Sequence, residues 1–149
     1  MNKEFVMRGK TASGETEVLN FSGYKPGYAY RMTEFQIYPS SAIGDQNAEL
    51  SATITAAKVY EDPVNPNFNN EGLIATTMFI NSLNPAYAPN EISVVNDTFL
   101  ITQNLIIAVI DTFAGSPQAV NWQCRFVAEK MSGPEEAVAN YKQFTISDE

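Results

Sequence analysis

AELSATITAAKVYE, residues 48–61, decides whether this chain is all-β or mixed. Its alanines, glutamates, leucine and lysine favour a helix, whereas the alternating threonines with Ile54 and Val59 favour a strand. We read it as a strand, because the segments on both sides of it carry the same period of two.

Upstream, KEFVMRG (3–9) sets Phe5 and Met7 against Glu4, Val6 and Arg8, and TEVLNFS (16–22) puts Leu19 and Phe21 on one face. The Gly and Pro of GYKPG (23–27) mark a turn. In YAYRMTEFQIYP (28–39) the apolar face runs through Tyr28, Tyr30 and Met32 and then moves to Phe35 and Ile37, a change of phase that predicts a bulge or a switch in the buried side. Downstream, GLIATTMFI (72–80) is a near-continuous apolar run with the look of a strand buried in a sandwich core. ISVVNDTFL (92–100), LIIAVIDTF (105–113) and AVNWQCRFVAEKM (119–131) add three strands, the last two expected to form a hairpin through AGSPQ (114–118). SGPEEAVANYKQF (132–144) carries a capping serine, an early proline and two acids where a helix is positive, so one short C-terminal helix is expected. About eight strands with Pro-rich and Asn-rich connectors predict one antiparallel β-sandwich, jelly-roll-like, spanning residues 1–149.

The 149 residues carry 17 acidic and 9 basic side chains, a net charge of −8, and no two basic residues are adjacent. Phosphate binding needs clustered positive charge, so nucleic acid is not an expected partner. MNKEFVMRGK lacks the apolar stretch of a secretory signal, and no apolar run reaches membrane-spanning length, so neither export nor a membrane is expected. Cys124, the single cysteine, sits in a strand-like run and reads as a small core residue.

The chain has no histidine, which removes the commonest general base and transition-metal ligand. Paired carboxylates remain, and Glu34 and Asp111 are the two that apolar strands could carry toward a cleft. Most of 17 carboxylates will solvate strand faces and loop ends, so no catalytic residue, cofactor or metal is expected.

EDPVNPNFNNEG (61–72) raises the question of calcium. An EF-hand loop started at Asn65 meets Asn70 where glycine belongs and Thr76 where glutamate belongs. Started at Asp62, it puts Val64 and Pro66 at ligand positions. A looser site on Glu61, Asp62 and Glu71 stays open beside a second reading, a stiff connector whose asparagines satisfy its own backbone. Phe68 is its apolar tip and a candidate partner contact, as are the loop aromatics Tyr24 and Tyr87 and the N-terminal Phe5 and Met7. Residues 1–10 and 132–149 are the expected contact elements, the first by adding a strand to another chain.

TQNLIIAVIDTFAGSPQAVNWQCRFVAEKMSGPEEAV (102–138) resembles the C-terminal part of jelly-roll virion proteins of marine tailed phages, and GYAYRMTEFQIYPS (27–40) is similar to one of their strands. The resemblance implies a non-enzymatic capsid decoration or cement protein. Its partners would be the major capsid protein or other virion proteins, its state a homo-oligomer such as a trimer, and its location the virion, assembled in the host cytoplasm. The alternative from the residues is a glycan-binding or receptor-binding module of a tail or fibre, stacking Tyr24, Tyr87 and Phe68 on sugar rings. An enzyme using Glu34 or Asp111 is the third reading.

Overall fold

The computed structural model describes residues 3–21, 27–40, 47–81, 90–113 and 117–130. They form eight strands in two antiparallel sheets: β1 (Lys3–Thr11), β2 (Thr16–Leu19), β3 (Tyr28–Pro39), β4 (Ala48–Thr55), β5 (Leu73–Asn81), β6 (Asn90–Val95), β7 (Leu105–Asp111) and β8 (Val120–Lys130). One sheet has the order β1-β8-β3 and the other β2-β7-β4-β5-β6. No helix occurs among the described residues; the expected C-terminal helix, with the whole of 132–149, lies outside them.

β1 pairs with β8, β2 with β7 and β4 with β5, a nested set in which first meets last, as in a long hairpin rolled into a jelly roll. β6 departs from this nesting by joining β5 in the larger sheet. It still lies along β3, where the Ser93 hydroxyl donates to the Phe35 carbonyl at 2.7 Å. One side of the sandwich is closed in this way.

Alternation explains the core. Along β8, Val120, Trp122, Cys124 and Phe126 are buried, with Asn121, Gln123 and Arg125 between them less so. Facing them from the larger sheet are Leu50, Ala52, Ile54, Leu105, Ile107 and Val109. Burial pushes the Cys124 thiol well above its ordinary range, as suits a core residue. Gly9 is required by close approach: a Cβ there would stand 2.6 Å from the Trp122 ring, whose Nε1–H donates to Thr11 Oγ1 at 2.9 Å.

Several expectations change in detail. The phase shift in β3 is a bulge between Met32 and Glu34, but burial does not switch sides. The extra residue, Thr33, re-aims the strand so that Met32, Phe35 and Ile37 all enter the same core. The expected hairpin of residues 105–131 is absent, because β7 and β8 belong to different sheets and their connection crosses between them. The run 72–80 is not buried on both faces: Ala75, Thr77 and Phe79 point into the sandwich, and Met78 and Ile80 point out. β6 ends at Val95, where Asn96 Oδ1 accepts from the Thr98 N–H and hydroxyl and turns the chain. Beyond it Phe99 is buried and Ile101 bridges to Tyr30.

Candidate functional site

The long β4–β5 connection begins on strand β4, whose outward threonines explain where it goes. Thr53 and Thr55 point away from the sandwich, yet both are fully buried, because residues 56–61 fold back over them. The Thr53 hydroxyl donates to the Glu61 carbonyl at 2.7 Å, and the Glu61 N–H donates to Thr55 Oγ1 at 3.1 Å. The Ala56 N–H donates to the Gly72 carbonyl at 2.8 Å and closes the neck of the loop.

Within the loop, polar side chains satisfy local backbone. Asp62 Oδ1 accepts from the Val64 N–H, Asn67 Oδ1 from Asn69 and Asn70 Oδ1 from Gly72, three successive Asx turns at 2.9, 3.0 and 2.9 Å. Glu61 is the hub: Oε1 accepts from the Asn67 N–H at 2.9 Å and Oε2 from Asn70 Nδ2 at 2.7 Å. Each Glu61 carboxylate oxygen thus accepts one hydrogen bond from within the loop. Among the described residues no three metal-ligating side chains gather.

This frame presents apolar groups outward. Phe68 is 61 % exposed at the tip, and Val59, Tyr60 and Val64 are exposed along the loop. Phe68 lies beside Leu73, Ile74, Thr76 and Val94, with which it lines a shallow recess of about 280 Å³. Thr76 is paired with Val94 and Met78 with Ile92 across β5 and β6, so the same outward face continues through Ile92 (49 % exposed), Val94 (46 %) and Ile80. The result is an exposed apolar surface on an acidic chain. The sequence singled out Phe68 but not Ile92 and Val94. The usable signal was Ser93, the polar residue of the run, which turns toward β3 and leaves its apolar neighbours to solvent.

Glu61→Ala removes the hub without touching the core. We expect a loss of about 1 kcal/mol in urea unfolding, from two hydrogen bonds in a partly exposed setting, and faster amide exchange at Asn67 and Asn69.

The other sheet carries a polar face. Arg8, Gln123 and Gln36 stand in one cross-strand row and Lys10, Asn121 and Tyr38 in the next, forming the sides of a shallow cleft of about 660 Å³. Arg8 donates to Gln123. On the far side of the Arg8 row, Arg125 stands between Val6 and Glu34 and pairs with Glu34 (3.6 Å) and, diagonally, with Glu4 (3.7 Å).

The remaining predicted residues are dispersed. Phe5 and Met7 point inward from β1 and are half-buried at the edge of the core. Residues 3–10 lie in β1 and pair with β8 along their length. Tyr24 and Tyr87 lie outside the described residues. Glu34 is exposed on the outer face of the smaller sheet, whereas Asp111 is buried at the end of β7 in the other. The two do not share a cleft. Asp111 accepts hydrogen bonds from the N–H groups of Glu49, Phe113 and Gln118 and clamps the crossover to β8. Compared with known proteins, the chain matches no family model and no curated sequence.

Proposed function

We propose that this protein is a non-enzymatic structural component of a virus particle, a decoration or cement protein that binds the outside of an assembled phage shell. The observation that carries the reading is the outward apolar surface in which Phe68, held by an internally hydrogen-bonded loop, continues into Val94 and Ile92. Such a loop loses little conformational freedom on docking, and a central aromatic anchor is the usual source of affinity at a protein interface. The jelly-roll strand nesting agrees with the resemblance of residues 102–138 to virion proteins.

The test is sedimentation of the purified protein with undecorated shells of a tailed phage. Saturable co-sedimentation is expected, and Phe68→Ala should weaken it at least tenfold, as loss of a buried aromatic anchor does, without changing the thermal midpoint. A stable protein that ignores shells overturns the reading. The second reading, glycan binding, rests on the cleft over β1, β8 and β3, where exposed Tyr38 could stack on a sugar ring among Arg, Gln and Asn donors. Binding to a glycan array that Tyr38→Ala abolishes would replace the first reading.

A further inference from the structure

The strand β1 has β8 on one side, and among the described residues its other edge pairs with no strand. Nine residues of such an edge form a template for another chain. Proteins commonly guard an edge with charge, and β1 carries Lys3, Glu4, Arg8 and Lys10. Their order does more than repel.

We infer that β1 is a homodimer interface, pairing antiparallel with β1 of a second copy about a two-fold axis through Val6. In that register Glu4 stands opposite Arg8 of the other chain, and Arg8 opposite its Glu4, on the exposed face. Val6, 38 % exposed, meets its own copy on the axis. On the inner face Phe5 meets Met7 twice, so the two side chains left half-buried at the core edge are sealed by their counterparts.

The neighbouring two-fold registers are worse. A centre on Phe5 sets Glu4 against Val6 and leaves Arg8 without an acid; a centre on Met7 pairs Glu4 with Lys10 but sets Arg8 against Val6 and Phe5 against Gly9, so the Phe5–Met7 seal is lost. A parallel, in-register pairing stacks Glu4 on Glu4 and Arg8 on Arg8, which is unfavourable. Charge pairing and the Phe5–Met7 contact together therefore select one register among those that the bare backbone would allow. Glu4 and Arg8 are held in this row by Arg125 and Gln123 of β8. The product is a continuous six-stranded sheet, β3-β8-β1-β1-β8-β3, with closed two-fold symmetry rather than the trimer that the resemblance implies. An interface of one strand pair is smaller than the roughly 1,200–2,000 Å² of a tight complex, so the association should be in the micromolar range.

The inference is independent of shell binding, and its test uses the full chain alone. Sedimentation velocity over a range of concentrations should show a monomer–dimer equilibrium in wild type. Glu4→Arg and Arg8→Glu should each weaken it at least tenfold, and the double exchange Glu4→Arg/Arg8→Glu should restore it. Val6→Cys should give a disulfide-linked dimer on mild oxidation, since the other cysteine, Cys124, is buried. A protein that stays monomeric throughout, forms a trimer, ignores both charge reversals, or fails to cross-link through position 6 overturns the inference.

Discussion

Asp111→Ala should be among the most damaging single substitutions in this protein, lowering the free energy of unfolding by roughly 3–5 kcal/mol. The reason lies in what the carboxylate holds. Oδ1 accepts from the Glu49 and Phe113 N–H groups at 3.2 and 3.1 Å, Oδ2 accepts from Gln118 N–H at 3.1 Å, and the Asp111 N–H itself donates to Ser13 Oγ at 2.8 Å. The side chain thus ties the end of β7 to the start of β4 and to both described ends of the crossing that leads into β8, while the backbone of the same residue holds the turn after β1. Alanine leaves three backbone donors without their acceptor, and the Gln118 donor is in a buried setting. Asparagine keeps one oxygen and should cost about half as much. Urea unfolding of the two variants beside wild type decides the matter. An Asp111→Ala protein as stable as its parent would show that the crossing is held by its apolar contacts alone.

The same residue shows where the sequence was legible. The strand ending in VID was plain, because Leu105, Ile107 and Val109 alternate and all turn inward. Its partner was not, because AGSPQ has the composition of a turn whether it joins strands of one sheet or passes between two. Composition sets local backbone; which sheet comes next is set by what the two strands bury. The phase shift in β3 had the converse character. A bulge could be read from Met32, Phe35 and Ile37, but only the sandwich shows that the extra Thr33 keeps all three on one side. In the residue 61–72 loop, the asparagines were legible as backbone partners, since an Asx turn is a contact between residues two apart. Glu61 was not, because it reaches six and nine residues forward to Asn67 and Asn70. The outward Ile92 and Val94 were hidden for a related reason: alternation reveals two faces, and only the neighbouring β3, which takes the Ser93 hydroxyl, fixes which face is outward.

Phe126→Ala should lower stability by about 3–5 kcal/mol, the usual cost of emptying a large aromatic site in a core. Phe126 is fully buried at the junction of three elements. Its ring stacks on Phe5 of β1 at a centroid distance of 5.3 Å and meets Phe21, beyond β2, edge-on at 5.3 Å; Tyr30 of β3 touches both of those rings, at 5.6 and 5.1 Å. Phe126→Leu retains part of the volume and should cost roughly 1–2 kcal/mol, which separates the cavity from the lost ring geometry. The two substitutions also distinguish what holds β1. Among the described residues that strand pairs with the sheet on one side only, and Phe5 and Met7 are inward side chains that pack it on the core. If the aromatic cluster is its main anchor, amides of residues 3–9 should lose exchange protection in Phe126→Ala well before those of β4 and β7. Uniform loss of protection across both sheets would mean instead that β1 is held by its ladder to β8 and unfolds only with the whole sandwich.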